Sequence, residues 1–468
     1  MNGNDQKLLM MRDEKIPKVL LKLGIPTMVG MMVSALYSVV DAYFVGWLGT
    51  SQMGAVSVVF PIVQIIVGLG MMFGSGAASY ISRLLGANNA DEANRTASTA
   101  LFSSLVVGAA AISAALCFLD KLLVALGATE TILPYAHEYA VVYVAGSILN
   151  ILNITMNNIV TAEGRSKLTM VSMLIGGGLN VILDPIFIFP LGFGVRGAAI
   201  ATIVSQAATT CLYLWFVLRK KGYLRFSPKL FTFSGKIYGE VLKVGIPILV
   251  FQFLASAALS LTNTAASVYG DSAIAAVGVV ARIMTLGTYV IYGFMKGFQP
   301  VAGYNFGAKR YGRMWEATKL SLLWATVFCT VSAILMIAIP DRIVSLFSKS
   351  DALLVGIGAR QLRACGFVFP LFGFEIVFMD LFLAIGRGLQ GGLLSVSRQG
   401  IFFIPAILLL PRLFGIDGII WAQPAADFLT IVLTAVFALA FRKKIPAANA
   451  AEPAQERRSD AHCKLERS

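Results

Sequence analysis

An aspartate lies near the middle of an apolar stretch whose other residues suit a lipid environment. Residues 34–49 read SALYSVVDAYFVGWLG, and the aspartate is Asp41. A carboxylate at the bilayer centre costs roughly 2.5–3.5 kcal/mol. On a helix, the spacing i, i+3, i+4, i+7 brings Ser34, Tyr37, Ser38 and Asp41 onto one face. Because acids within membranes face the bundle interior or a water-filled cavity, we expect this polar stripe to face one of these and not lipid.

A second polar group lies in the stretch GGGLNVILDPIFIF, residues 176–189. Asn180 and Asp184 are four residues apart and therefore share a helix face. Pro185 leaves a backbone carbonyl one turn earlier without its donor, and the glycines at 176–178 permit close helix contact. The next apolar stretch adds the hydroxyl and amide groups of Thr202, Ser205 and Gln206.

If the two stripes converge, one pocket contains two carboxylates. Two carboxylates in a poorly solvated site cannot both ionise easily, so such a pair takes up and releases a proton readily. The oxygens of Asp41 and Asp184, together with Asn180 and Thr202, would also suit Na⁺, a hard cation. A third interpretation is a structural hydrogen-bond network between helices. The residues alone leave these three open.

The elements that position these groups are membrane spans. The chain is 57% hydrophobic and 13% charged, with a mean hydropathy of +0.78, whereas soluble proteins are about one quarter charged. The start of the chain lacks the apolar region and cleavage site of a signal peptide. We predict an all-α integral membrane fold with transmembrane helices at twelve places, near 16–44, 54–82, 95–119, 133–160, 168–190, 195–219, 240–267, 273–303, 316–340, 353–384, 390–411 and 415–441.

Basic residues indicate how the chain is oriented. The formal net charge is +14, and Lys and Arg cluster before the first span and in alternate loops. This distribution fits the positive-inside rule, favours cytoplasmic termini in a multi-pass inner-membrane protein, and argues against nucleic-acid binding. The polar segment from Ile445 onwards is expected to be disordered. The five cysteines show no metal-binding or disulfide spacing and suit apolar packing.

The sequence repeats itself. LKLGIP at 21–26 recurs as LKVGIP 221 residues later, and GVRGAAIA at 194–201 recurs as GIDGIIWA at 415–422. We therefore predict a cytoplasmic N-terminal tail at 1–15, an N-lobe at 16–219, a cytoplasmic linker at 220–239, a C-lobe at 240–441 and a C-terminal tail at 442–468. Six spans per lobe relate the lobes by a parallel repeat, whose axis lies along the membrane normal.

Two facing lobes suit alternating access. The absence of a nucleotide-binding loop or zinc-protease motif from the sequence favours a gradient-driven carrier over a pump or an enzyme.

The repeat duplicates the scaffold and leaves the acids unduplicated. Asp41 corresponds to Thr262, and Asp184 corresponds to a position near Ala406. The C-lobe instead has Glu375, Asp380 and Asp427, with Arg282, Lys296 and Arg398 as candidate partners, in structural or substrate-binding roles. Pro26 and Pro247 are repeat equivalents; Pro26 is a candidate hinge, or else a proline at a helix start.

Several of these stretches together resemble the multidrug and toxic compound extrusion (MATE) family. They are YSVVDAYFVGWLG after LGIP, GSGAASYISRLLGANN, AEGRSK, LNVILDPIFIF with GVRGAAIAT, and GFQPVAGYNFGAKR. The similarity covers about residues 15–441. Trp47 departs from the family pattern, which usually has Arg after FVG.

The resemblance implies a V-shaped exporter that exchanges H⁺ or Na⁺ for organic cations or amphiphiles. It implies coupling residues at Tyr37, Asp41, Asn180, Asp184 and Thr202, a hinge at Pro26, and a candidate C-lobe substrate contact at Glu375. The seventh span lacks the carboxylate that a second branch of the family uses.

A lipid or polysaccharide-precursor flippase of the same superfamily is the alternative, and it would need a basic cavity. A channel would need a continuous pore. We expect no cofactor other than the coupling ion, no resident metal, no nucleic-acid partner, and a monomer among membrane lipids.

Overall fold

The computed structural model describes residues 5–219, 222–347 and 351–444, and these are almost entirely helical. The predicted C-terminal tail from residue 445 lies outside the described residues. The helices are α1 Asp5–Asp13, α2 Ile16–Gly46, α3 Thr50–Gly86, α4 Ala90–Cys117, α5 Leu119–Ala125, α6 Leu133–Ala162, α7 Ser166–Ile188, α8 Gly194–Leu218, α9 Gly235–Ser267, α10 Asp271–Gly307, α11 Tyr311–Ala338, α12 Pro340–Ser345, α13 Ala352–Ala384, α14 Gly388–Val396, α15 Phe403–Phe414 and α16 Ile416–Lys444.

Within the described residues, twelve helical segments are long and apolar enough to cross a membrane. Eleven of the spans are single helices. The remaining one, the eleventh along the chain, consists of α14 and α15 joined by a π-helical turn at Ser397–Ile401. This confirms the predicted fold class and number of spans. α2–α8 form the N-lobe and α9–α16 the C-lobe.

The sequence repeat is also visible in the backbone conformation of the turns between helices. Gly49 and Gly270 precede the second span of each lobe with φ of 130° and 89°. Gly164 and Gly386 follow the fourth span of each lobe with φ of 82° and 77°. Such positive φ angles favour glycine, so the sequence repeat is a repeat of chain geometry.

The lobes are joined at one end and separate at the other. One buried cluster contains residues of both lobes, such as Leu23, Met72, Val244 and Met295. Two further clusters each belong to one lobe: one includes Val45 and Tyr139, the other Ala258 and Phe403. We call the end where α2 starts and α3 finishes the closed end, and the other the open end. Twelve spans in this arrangement form a V-shaped bundle.

Glycines allow the lobes to meet at the closed end. A Cβ atom on Gly86 would lie 2.0 Å from the carbonyl oxygen of Tyr304, and one on Gly307 would lie 2.0 Å from that of Arg83. These two contacts are related by the repeat, so α3 and α10 meet through an internal two-fold relationship. Similarly, a Cβ on Gly297 would lie 2.5 Å from the Cα of Gly24.

Polar bonds complete this closure. Arg83 forms an ion pair of 2.7 Å with Glu240 of the C-lobe. The Ser79 hydroxyl donates to the carbonyl oxygen of Leu383, 2.5 Å away. Lys296 of α10 donates through its Nζ to Oδ1 of Asn157 on α6, which also joins the lobes.

The N-terminal segment contains a docked helix as well as a tail. Met11 of α1 is fully buried in the cluster shared by the lobes. Arg310 and Arg313 of the C-lobe donate to the carbonyl oxygens of Arg12 and Glu14, at 2.9 and 2.7 Å. The charged sequence concealed this helix, because its stability comes from contacts with a distant part of the chain.

The linker between the lobes is anchored to the N-lobe. It contains a 3₁₀ turn at Pro228–Leu230, and α9 begins at Gly235, five residues before the predicted span. The backbone amides of Tyr223 and Leu224 donate to Oε1 of the buried Glu163, which follows α6. Burial raises the pKa of the Glu163 carboxyl to about 7, against the opposing effect of Arg165.

Both Pro26 and Pro247 lie inside long helices, α2 and α9. The alternative of a proline at the helix start is therefore wrong for Pro26; Pro17 occupies that position in α2. Since proline has no amide hydrogen, Pro26 leaves the carbonyl of Lys22 without its helical donor.

Packing at the closed end predicts the effect of a single methyl group. In Gly297→Ala the new Cβ would meet the backbone of Gly24, so the interface must separate, at a cost of about 1–3 kcal/mol for overpacking. Gly278→Ala in the same helix meets no atom within 4 Å and should gain roughly 0.5–1 kcal/mol of helix propensity. Thermal unfolding of the purified variants should therefore move in opposite directions, and equal shifts would contradict the packing.

The raised pKa of Glu163 predicts that the free energy of unfolding depends on pH. Its folded-state pKa of about 7 exceeds the ordinary 4.5, so the folded protein binds the proton more tightly than the unfolded chain. The unfolding free energy should then fall as pH rises from about 4.5 to about 7. Glu163→Gln keeps the acceptor oxygen, so it should raise the unfolding midpoint above that of wild type at pH 8 and have little effect at pH 5. Glu138→Gln, at an exposed acid, is the control; a Glu163→Gln difference independent of pH would contradict the account.

Candidate functional site

The two acids of the N-lobe meet between helices. Asp41 of α2 and Asp184 of α7 are close enough for their carboxyl groups to share a hydrogen bond. Asp184 is fully buried, whereas Asp41 is partly exposed. The polar stripes of α2 and α7 therefore converge in the structure.

The approach of α2 to α7 depends on a glycine. A Cβ on Gly177 would lie 3.1 Å from both the Tyr37 ring and the Val33 side chain. A larger residue at 177 would push α2 away and separate the acids. The expectation of close contact holds for Gly176 and Gly177, whereas nothing lies within 4 Å of a Cβ on Gly178.

Asn180 links the acids to α8. Its Nδ2 donates to Oδ1 of Asp184 at 3.0 Å and to Oγ1 of Thr202 at 3.4 Å. Thr202 in turn donates to the carbonyl of Ala198, 3.1 Å away. Asp41, Asp184, Asn180 and Thr202 thus occupy one continuous site, beside Tyr37.

The site has more acceptors than donors. Among the described residues, Oδ1 of Asp41, Oδ2 of Asp184 and Oδ1 of Asn180 are buried and accept no hydrogen bond. Buried oxygens of this kind are nearly always satisfied, and a proton or a small cation would satisfy them without further protein donors. These oxygens and the Thr202 hydroxyl fit a hard cation such as Na⁺.

Two tyrosines of α6 were missed by the sequence analysis. Tyr139 and Tyr143 are buried near Asp41, and their rings stack with centroids 5.7 Å apart. Asn150 donates to the Tyr143 hydroxyl at 3.4 Å. Their spacing of four residues on one helix face was the available signal. They form an aromatic wall beside the acids.

Other polar residues of the first analysis lie apart from this site or are satisfied locally. Ser38 and Ser205 donate to carbonyls of their own helices, at 2.9 and 2.8 Å. Gln206 accepts from Nδ2 of Asn153 at 2.7 Å, which joins α8 to α6.

Two of the three candidate C-lobe acids, Glu375 and Asp427, form a separate charged cluster, whereas Asp380 has no ion pair among the described residues. Nε of Arg398 lies 3.0 Å from Oδ1 of Asp427 and 3.8 Å from Oε1 of Glu375. Gln423 donates to Asp427 at 2.6 Å, and Phe372 covers the guanidinium at 4.5 Å. Of the three basic candidates, Arg398 is therefore the partner of these acids. Lys296 bonds Asn157 instead.

This cluster occupies the repeat position of a neutral pair. Asn153 and Gln206 of the N-lobe precede Glu375 and Asp427 by 222 and 221 residues. Each lobe thus has a polar bridge between its fourth and sixth spans, which is uncharged in one lobe and ionic in the other.

The comparisons with known proteins agree with this architecture. The MatE family model matches the chain twice, at residues 26–186 and 247–408, one match in each lobe. The multidrug export protein MepA of Staphylococcus aureus (strain MRSA252) is 29% identical over 442 residues, covering 94% of this chain and 97% of that protein.

Solved structures give the same result. A multidrug resistance MATE transporter of the MOP superfamily in an outward-facing conformation has a TM-score of 0.87 at 27% identity, covering 93% of this chain and 99% of that one. A MOP superfamily transporter from Pyrococcus furiosus, whose binding pocket of reverse polarity suggests a different function, also has a TM-score of 0.87 at 26% identity, with 94% and 98% coverage. The twofold match to the family model, in a bundle of twelve spans, makes this chain a member of the MATE family of multi-pass membrane transporters.

Proposed function

We propose that the protein is a secondary active multidrug exporter that exchanges a cation, H⁺ or Na⁺, for organic cations and other amphiphiles. The observation that carries the proposal is the contact of Asp41 with Asp184, in which one oxygen of each acid, like Oδ1 of Asn180, is buried without a hydrogen-bond donor. A buried acidic pair binds either a coupling cation or a cationic substrate, and the two compete for the same negative charge. The relatives named multidrug transporters support the substrate class.

The separation of the lobes at the open end supports alternating access. We propose that the closed end faces the cytoplasm of a bacterial inner membrane, as the positive-inside rule favours, and that the transporter acts as a monomer. In this orientation the described conformation faces outward. Substrate then binds after the glycine-lined closure opens on the cytoplasmic side.

The roles of the site residues follow from their contacts. Asp41 and Asp184 bind the coupling ion, Asn180 and Thr202 orient Asp184 or add oxygen ligands to Na⁺, and Tyr37 packs the helices that bear the acids. Pro26 lets α2 bend when the charge of the pair changes. Glu375 is a structural partner of Arg398 in this proposal, since a buried ion pair neutralises its own charge.

A flippase for anionic lipid or sugar precursors is the second candidate. Lys296, a cation between the lobes that bonds an amide, is the observation that favours it. The transporter from Pyrococcus furiosus, whose pocket of reverse polarity suggests a different function, is a precedent for a function other than drug export in this fold. The acidic pair in the N-lobe favours export of cations.

The proposed exchange of a cation for substrate can be tested by a transport assay. In proteoliposomes, efflux of the organic cation ethidium should follow an imposed pH gradient or an imposed Na⁺ gradient. Asp41→Asn and Asp184→Asn should each reduce this exchange at least tenfold, because the cation site loses a charge while the hydrogen-bonding shape remains.

Asp120→Asn, at an exposed acid at the start of α5, is the control and should transport normally. Equal transport by wild type and Asp41→Asn would contradict the role of the pair. Transport under neither gradient, with movement of an anionic lipid analogue, would favour the flippase.

A second prediction uses the repeat to isolate the hinge. Pro26→Ala restores an amide donor to α2, so α2 should bend less readily and turnover should slow more than ethidium affinity weakens. Pro247→Ala is the matched change in α9, which has no acid at the position corresponding to Asp41. A larger loss of turnover in Pro247→Ala than in Pro26→Ala would contradict the assignment.

A third prediction concerns Arg398. Arg398→Gln leaves Glu375 and Asp427 without their cation, and breaking a buried pair costs about 3–5 kcal/mol. Thermal stability should fall sharply, and adding Asp427→Asn should recover part of it because one uncompensated charge disappears. Additive losses in the double variant would show that the residues act independently.

A further inference from the structure

The N-lobe contains a cavity with basic residues in its lining, at the closed end and far from the acidic pair along α2 and α7. Its volume is about 420 Å³, within the range of small-ligand sites. Lys22 and Leu23 of α2 line one side, and Arg165, Ser166 and Lys167 at the start of α7 line the other. Met10 of α1 borders it as well. The cavity plays no part in the transport cycle described above.

The start of α7 presents unused hydrogen-bond donors to this cavity. No side chain caps the helix, and the amides of Leu168 and Thr169 bond the carbonyl of Arg165. The amides of Ser166 and Lys167 have no acceptor within the described part of the chain. Helix starts of this kind bind anions through free amides and the helix dipole.

A buried hydroxyl gives independent support for a ligand. Ser166 is 1% exposed, and its Oγ has no hydrogen-bond partner among residues 5–219, 222–347 and 351–444. An unpaired buried hydroxyl costs free energy unless something bonds it. Together with the two free amides, Oγ forms a group of three donors at one cavity wall.

The charges at the cavity are predominantly positive. Lys18 and Lys22 each form an ion pair of 2.7 Å with the Glu14 carboxylate. These two contacts lower the pKa of the Glu14 carboxyl. Arg165 lies 3.5 Å from Glu163. Lys167 has no ion pair among the described residues and is exposed at the rim. Three basic residues, Lys22, Arg165 and Lys167, line the cavity, and none of the described residues in its lining is acidic.

The C-lobe shows that the scaffold does not need this cavity. Lys243 and Gly388 are the repeat equivalents of Lys22 and Ser166, and Leu389 stands where the N-lobe has Lys167. In the C-lobe, α9 packs directly against the start of α14 and leaves no cavity between them at this point. A Cβ on Gly388 would lie only 2.0 Å from the carbonyl oxygen of Lys243. The same place in the fold is packed shut in one lobe and is open, basic and rich in donors in the other.

We propose that this cavity is a binding site for a phosphate group, carried by an anionic lipid headgroup at the closed-end surface of the membrane. The second turn of α2 and the first turn of α7 form its walls, close to the membrane surface where headgroups lie. The ligand would contact α2 at Lys22, the residue whose carbonyl Pro26 leaves unbonded. Binding there therefore stabilises one shape of the helix that bears Asp41.

The test measures binding by the purified full-length protein in neutral detergent and does not depend on transport. The probes are dihexanoyl phosphatidylglycerol, dihexanoyl phosphatidylcholine and inorganic phosphate, titrated by calorimetry. Phosphatidylglycerol should bind at least about tenfold more tightly than phosphatidylcholine, because both carry the phosphate but the choline ammonium is repelled by Lys22, Arg165 and Lys167.

Two charge-matched double variants locate the site. Lys22→Gln with Lys167→Gln should weaken phosphatidylglycerol binding at least tenfold, whereas Lys229→Gln with Lys243→Gln should change it less than twofold. Ser166→Gly, which copies the C-lobe, should weaken it without changing the net charge. Displacement of phosphatidylglycerol by inorganic phosphate would support a phosphate site, and tighter binding of inorganic phosphate than of phosphatidylglycerol would overturn the assignment to a lipid headgroup. Equal losses in both double variants, or no preference for the phosphatidylglycerol probe, would overturn the proposal.

Discussion

The contact between Asp41 and Asp184 is the constraint on which the rest of the structure depends. Two carboxylates in an apolar bundle lose hydration and repel each other when both are ionised, so binding a proton or a cation would stabilise the pair. Gly177 lets α2 approach α7 closely enough to form the pair, and Asn180 holds one oxygen of Asp184. The charge of this pair is therefore linked directly to the packing of α2 on its neighbours.

The repeat separates what the scaffold needs from what the transport chemistry needs. Turns with positive φ, the glycine contacts at the closed end and the fourth-to-sixth span bridges occur in both lobes. Within the described residues, the acidic pair and the cavity at Ser166 belong to the N-lobe, while the C-lobe has Arg398 between Glu375 and Asp427. A symmetric frame thus supports asymmetric lobes: both first spans contain an internal proline, Pro26 or Pro247, but α9 has Thr262 where α2 has Asp41.

Much of this was predictable from the residues, for physical reasons. Apolar length identifies the spans, and periodicity places Tyr37 with Asp41 and Asn180 with Asp184, because both signals are local. Contacts between distant segments were not predictable. The docking of α1 through Met11, the tyrosine wall on α6 and the bond from Lys296 to Asn157 depend on which helix faces which. Charge alone offered three basic partners for the C-lobe acids, and only packing selects Arg398.

The most direct test of the account is competition between a coupling cation and a substrate for the acidic pair. The dissociation constant of tetraphenylphosphonium would be measured on the purified protein, first across pH at fixed Na⁺ and then across Na⁺ at fixed pH. The account predicts that affinity falls as H⁺ or Na⁺ rises, and that Asp41→Asn and Asp184→Asn abolish the dependence. A dissociation constant in the wild-type protein that is independent of both ions would contradict it.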